Sequence, residues 1–281
     1  MQVKGAGQKG ARTAWQQYSE NAPIWRRLQY SDNTAVLPRF YAPDLDANIG
    51  RVALPIDEAR HLTRVLRLGA GDEVSVFDGR GAEFRAVVEV AVRDTVALQL
   101  LEPVAVPLSL PTEIFVVQAV LKGSSMDDAV RDATMMGAAA IHPVLTAHTD
   151  VKTMVATRTA TLDRGRRIAL AAVKQSRRAT LPTIEPARAF GDWLSSPAGE
   201  LRLLFAEPSA ACPTRALRSL LAKPVPASAA ILLGPEGGWS SDEVDAALAG
   251  GCIGVSLGPL TLRAESMPLA ALAALGTIWH T

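Results

Sequence analysis

Between residues 228 and 263 the chain runs twice from a short apolar segment into a glycine-proline bend and on into a helical pattern. The first pass is Leu232-Leu233-Gly234-Pro235-Glu236-Gly237-Gly238, and the second is Leu257-Gly258-Pro259-Leu260-Thr261-Leu262-Arg263. Apolar runs that do not alternate, interleaved with helices, specify a parallel sheet covered on both faces. In each bend glycine leaves the backbone bare while proline stiffens the approach. Two such bends within a few dozen residues read as a site rather than as a linker.

The rest of the chain is consistent with this architecture. At 281 residues it exceeds the usual single-domain size, so two domains are expected, each large enough for its own core. A 48% hydrophobic and 20% charged composition argues against general disorder. Cys212 and Cys252 are the only cysteines and have no zinc-like spacing with the 4 histidines, so a reduced, metal-free, cytoplasmic protein is expected. No signal-peptide pattern opens the chain, and the longest apolar stretch, Met267 to Leu275, is about half of what a bilayer requires.

Three segments follow from the patterning. Residues 1–37 show no clean period and read as a disordered extension. Over 38–106 short strands (Arg51–Leu54, Glu73–Phe77, Glu83–Val92, Thr95–Leu101) surround one helix from Asp57, its N-cap, to Leu68, with Leu62, Val65 and Leu66 on its apolar face and Gly69 past its end. This is the pattern of a small β-barrel. Residues 107–281 alternate strand and helix: strands at Glu113–Val120, Ala138–Leu145, Leu201–Ala206, Ala229–Leu233 and Cys252–Leu257, and helices at Ser124–Met136, Asp163–Ala179, Thr214–Leu221, Ser241–Ala249 and Glu265–Trp279. Ser240-x-x-Glu243 matches a capping box, with Gly250-Gly251 as the stop.

The near-zero net charge of +1 conceals an uneven distribution: residues 39–106 hold 8 basic and 11 acidic side chains, whereas 152–178 hold 8 basic and 1 acidic. On a helix from Asp163, Arg167, Lys174 and Arg178 fall on one face, a patch suited to a polyanion or simply a solvated surface. The bend at 234–239 could hold a phosphate, an adenine edge or an amino-acid carboxylate. It lacks a P-loop lysine and the G-x-G-x-x-G spacing of a dinucleotide turn. Two ordinary turns of an α/β sheet remain the plain alternative.

Taken together, the paired bends, the continuation Arg263-Ala264-Glu265-Ser266, and the segments Arg39-Phe40-Tyr41, His61-Leu62-x-x-Val65-Leu66-Arg67, Phe77-Asp78-Gly79, Lys122-Gly123 and Gln175-Ser176-Arg177-Arg178 resemble one family. It is the ribosomal RNA small-subunit methyltransferases that modify N3 of a uridine in 16S rRNA, within the SPOUT superfamily. The resemblance spans about 36–281. It implies an α/β domain whose parallel sheet carries a deep trefoil knot, an N-terminal PUA-like β-barrel for RNA, a homodimer, and S-adenosylmethionine as cofactor. The substrate would be 16S rRNA or the assembled small ribosomal subunit, with no membrane and no metal involved.

By the same resemblance the cofactor is cradled by Leu232, Leu233, Gly234, Pro235, Gly237, Gly238, Leu257, Gly258, Leu260, Leu262 and Arg263. Uridine N3 is a poor nucleophile until its proton leaves, so Glu265 and Glu236 are candidate bases and Arg263 a candidate stabiliser of developing negative charge. Glu265 could equally do no more than favour the N-terminus of the last helix. Candidate RNA contacts are Arg39, His61, Arg64, Arg67, Arg167, Lys174, Arg177 and Arg178. Three positions depart from the family pattern: Arg131 stands where lysine is usual, Met135 where glutamate is, and Gly165 where tryptophan is. Activity on another RNA or base, and a non-catalytic RNA-binding role in ribosome assembly, are the competing readings.

Overall fold

The computed structural model describes residues 37–107, 110–150, 159–207 and 212–279. The expected extension over 1–37, apart from Leu37, and the basic residues Lys152 and Arg158 lie outside them.

Strands β1 (Arg39–Tyr41), β2 (Arg51–Ala53), β3 (Glu73–Phe77), β4 (Glu83–Val92) and β5 (Thr95–Pro103) form one sheet in the order β1-β3-β4-β5-β2. Only β1 and β3 run parallel. Ala86 and Val88, two apart on β4, turn to the same side as Val74, Val76, Val96 and Leu98 and pack with Phe40 and Leu62 into a core.

Helix α1 (Ile56–Arg60) corrects the expected helix over 57–68. Pro55 occupies the N-cap, Asp57 lies within the first turn, and the chain widens into a π-turn over His61–Val65, with Leu66 N–H bonded to His61 O. That extra residue rotates the face away from the 3.6 period. Leu62 stays buried, but Val65 and Leu66 face solvent. The left-handed residue that ends the turn is Arg67, not Gly69.

The second sheet is built from β6 (Glu113–Ala119), β7 (Ala140–Leu145), β8 (Thr183–Ile184), β9 (Arg188–Ala189), β10 (Leu201–Phe205), β11 (Arg215–Ala216), β12 (Ser228–Leu233) and β13 (Ile253–Ser256). Its order is β11-β13-β10-β12-β6-β7-β8, with β9 also on β7, and every pair is parallel. Helices α2 (Ser125–Met135), α3 (Thr159–Ser176), α4 (Phe190–Ser195), α5 (Ser241–Ala249) and α6 (Met267–Trp279) connect or close it. A short 3-10 helix over Leu217–Ala222 replaces the expected helix from Thr214.

Both faces of the sheet are buried at its centre, which explains the unbroken apolar run of β12. On β12, Ala229, Ile231 and Leu233 pack against Ala271, Leu272, Leu275 and Trp279 of α6, while Ala230 and Leu232 pack against Phe190, Trp193, Val244 and Ala247 on the opposite face. The apolar side of α6 is therefore core, and Leu269 on the same helix stays exposed.

Buried cations join the two sheets. Arg39 bonds Glu83 at 2.7 Å and 3.0 Å and reaches across to the carbonyls of Val173, Lys174 and Arg178, its side chain only 10% exposed. The carbonyls of Val173 and Lys174 belong to the last turn of α3, where no intrahelical partner exists, so a guanidinium from the first sheet completes the C-terminus of a helix on the second. Lys174 in turn pairs with the buried Glu58.

The helix stops at Ser176 because Arg177 takes φ +61°, which swings Arg178 inward onto the carbonyls of Thr134 and Ala138. Burial lowers the pKa of that guanidinium. Arg39, Lys174 and Arg178, expected at an RNA surface, are thus structural clamps. The single helical face expected for Arg167, Lys174 and Arg178 ends before its last member.

His142, given no partner by the sequence, accepts a hydrogen bond at Nδ1 from Trp193 Nε1 at 3.0 Å and lies beside the Phe115 ring. Burial lowers its pKa, with Glu185 opposing and Arg188 reinforcing the shift. The unfolded chain takes up a proton below about pH 6.5 that the fold resists, so stability is level above that value and falls below it. Between about pH 7.5 and about pH 5.5 the urea midpoint should fall further in the wild type than in His142→Gln; equal shifts would clear His142 of any part in the acid response.

Candidate functional site

Because β10 lies between β12 and β13, the loops after all three strands emerge side by side at one edge of the sheet. In open parallel sheets this carboxyl-terminal edge is where ligands bind. The loops enclose a cavity of about 560 Å³, a size suited to a small-molecule cofactor. Its wall combines Gly234 to Trp239 after β12, Ser256 to Gly258 with Leu260 to Glu265 after β13, Phe205 to Glu207 after β10, and Ser125 and Met267 from the starts of α2 and α6.

The structure brings together Gly234, Pro235, Glu236, Gly237, Gly238, Leu257, Gly258, Leu260, Leu262, Arg263 and Glu265, all expected from the sequence. Leu232 and Leu233 are not part of this wall: their side chains are fully buried in the two cores on either face of β12, so all that either can offer a ligand is main chain. Phe205, Ala206, Glu207, Ser125 and Met267 belong to the wall although the sequence motifs gave no sign of them. Only the sheet order, which sets β10 between the two motif strands, reveals the first three.

Local chemistry holds the first loop in shape. The capping box is present: Ser240 Oγ accepts from Glu243 N–H, and Glu243 accepts from Ser240 N–H at 3.0 Å. The same carboxylate accepts from Ala147 N–H at 2.7 Å, tying the loop after β7 to α5. Trp239 Nε1 donates to Phe205 O and its ring packs on Phe190. His148, also unassigned from the sequence, bonds Gly238 O through Nδ1 at 3.0 Å.

The three carboxylates of the wall differ in how they are engaged. Glu236 accepts from Lys122 N–H at 2.9 Å, which makes it a tether between loops. Glu265 stands 3.8 Å from Arg263 with a mostly covered side chain. Glu207 has no hydrogen-bond or ion-pair partner among the described residues. Arg263 projects into solvent, its side chain 86% exposed.

Of the remaining candidates for RNA, His61, Arg67, Arg167 and Arg177 are exposed, and Arg64 is exposed in an ion pair with Asp94. They lie outside the cavity wall. Among the described residues no group of three or more histidine, cysteine or acidic side chains is placed to hold a metal ion, and no helix is long and apolar enough to cross a membrane. Cys212 and Cys252 are buried and unpaired, and burial raises both thiol pKa values.

Comparison with known proteins agrees with this geometry. Residues 108–276 match the RNA methyltransferase domain family, and residues 54–101 match the RNA methyltransferase PUA domain. The ribosomal RNA small subunit methyltransferase E of Synechocystis is 34% identical over 232 residues, 81% of this chain and 73% of that protein. The crystal structure of a ribosomal RNA small subunit methyltransferase E from Neisseria gonorrhoeae, bound to S-adenosyl methionine, is 29% identical with a TM-score of 0.76, covering 86% of this chain and 98% of that one. A probable rRNA-methyltransferase from Porphyromonas gingivalis is 31% identical with a TM-score of 0.74, covering 87% of this chain and 99% of that one. With its two sheets, its ligand-sized cavity and these relatives, the chain belongs to the RNA methyltransferase family, among the ribosomal RNA small subunit methyltransferases E.

Proposed function

We propose that the protein methylates N3 of a uridine in 16S rRNA, drawing the methyl group from S-adenosylmethionine held in the cavity between the two glycine bends. The observation that carries this reading is the backbone-lined cavity at the ends of β10, β12 and β13. Gly238 at φ +71° and Gly258 at φ +138° both line it, and a Cβ on either would meet no atom within 4 Å. A side chain there would project into open space and not into protein, so the two glycines keep room for a ligand against the main chain.

When bound, S-adenosylmethionine supplies an electrophilic methyl group on a sulfonium sulfur. The loops hold its nucleoside by main-chain groups and by the flanking Leu257 and Trp239. Glu265, beside Arg263 on the segment leading into α6, takes the N3 proton, while Glu236 ties its loop to Lys122 N–H. Arg263, exposed on the cavity wall beside Glu265, stabilises the negative charge that spreads onto the uracil oxygens as that proton leaves.

The RNA is held by His61, Arg64, Arg67, Arg167 and Arg177, the members of the expected RNA-contact set that stay exposed once the clamps are set aside. The trefoil knot, the homodimer and a cytoplasmic location belong to the same proposal, as does division into an RNA-binding domain over 38–106 and a methyltransferase domain over 107–281. The placing of β12 between the earlier strands β6 and β10 supports the knot. Leu260, 77% exposed on the cavity rim, offers a second copy an apolar foothold.

Primer extension on 16S rRNA tests the reading, because a methyl on N3 blocks pairing and halts reverse transcriptase. Deleting the gene should abolish one stop, and the purified protein with S-adenosylmethionine should restore it on small subunits from the deletion strain. A stop that survives deletion, or methyl incorporation without a stop, would refute N3 of a uridine as the target.

A further inference from the structure

The loop after β10 adds a residue that neither glycine motif contains. Glu207 follows β10 by two positions, and β10 is flanked by β12 and β13, so Glu207 emerges between the two bends and lines the cavity they form. Of the wall's carboxylates, Glu236 is held by Lys122 N–H and Glu265 faces Arg263, whereas Glu207 is exposed and keeps both oxygens unengaged among the described residues. We infer that Glu207 binds the ribose of the cofactor, its two carboxylate oxygens accepting from the vicinal 2′- and 3′-hydroxyls. The inference rests on the cofactor assignment made above.

The choice of ribose follows from the layout of the cavity. Glu207 sits at the sheet end, between the main-chain segments suited to a base, and the ribose is the part of the nucleoside attached directly to that base. Arg263 and Glu265, the groups assigned to the reaction, lie on the outer segment leading into α6, so the sulfonium end must turn toward them and away from the strand ends. A carboxylate presents two acceptors and no donor, which matches a diol with two O–H donors. Bonds from neutral donors to an ionised acceptor are the strong class of hydrogen bond, and an acidic residue reading ribose hydroxyls is a known solution in nucleotide-binding sheets.

Isothermal titration of the full chain tests this without reference to turnover. S-adenosylhomocysteine, its 2′,3′-dideoxy analogue and S-adenosylmethionine are each titrated into the wild type, Glu207→Gln and Glu207→Asp. Wild type should bind the diol at least roughly tenfold tighter than the dideoxy compound, and Glu207→Gln should bind the two within about twofold of each other, having lost the charged acceptor. Glu207→Asp, with its carboxylate one methylene back, should keep part of the preference and shows whether the site itself survives substitution.

An undiminished diol preference in Glu207→Gln would overturn the inference. So would a loss confined to S-adenosylmethionine with S-adenosylhomocysteine unaffected, because that pattern means Glu207 senses the sulfonium charge and not the sugar. Failure of the wild type to bind either nucleoside would instead remove the cofactor assignment itself.

Discussion

Replacing Arg263 with alanine is expected to lower methyl transfer by about 10²- to 10³-fold, the loss seen when one preorganised group aimed at developing charge is removed. The structure makes this a clean experiment. The Arg263 side chain is 86% exposed and its nearest partner, Glu265, is 3.8 Å away, so truncation removes little that holds the fold together. The melting temperature and the affinity for S-adenosylhomocysteine should therefore stay near wild type while kcat falls. Arg263→Lys, which keeps the charge without the planar fork, should recover part of the rate. A variant that turns over normally would remove Arg263 from the site. One that raises only the KM for RNA would make it a binding residue.

The largest effect on stability is expected at Arg39. Its guanidinium neutralises Glu83, which is 7% exposed and also accepts from Ser75 Oγ, and it caps α3 through two carbonyls. It also lies over the Phe77 ring at 4.7 Å. Arg39→Ala leaves a carboxylate buried without its counter-charge, a change that costs about 3–5 kcal/mol. Urea unfolding should show that loss. Adding Glu83→Gln should restore part of it, because the double variant no longer buries an unpaired charge. A loss below about 1 kcal/mol would place Arg39 among ordinary surface ion pairs.

Arg39 also shows where sequence reading stops. Nothing local distinguishes a cation that meets RNA from one that meets the end of a helix 134 residues further on; only the fold places Val173 O beside it. Lys174 and Arg178 fail for the same reason, and Arg178 additionally because one left-handed residue, Arg177, ends the helix early.

Elements with a strong local code were legible. The capping box at Ser240 and Glu243 begins α5 at Ser241, and the two-sided burial of β12 was visible in its unbroken apolar run. Strands β8 and β9 span two residues each and offer no period to detect. The π-turn at His61–Val65 inserts a residue without any breaker to announce it. Within the cavity, glycine and proline marked the two bends, whereas Glu207 carried no motif and depended on strand order alone.

Strand order also governs when the protein can assemble during synthesis. β10 hydrogen-bonds only to β12 and β13 among the described strands, and both are translated after it. On the ribosome, then, Leu201–Phe205 emerges with neither flank available and must wait for at least Ser228–Leu233 before it can leave solvent. When β12 does arrive it has to fill a gap already bordered by β6, so closing the centre of the sheet is a late event that needs nearly the whole nascent chain. An interrupted translation product ending before residue 228 would expose a five-residue strand, apolar but for Arg202, with no mate, a natural target for chaperones.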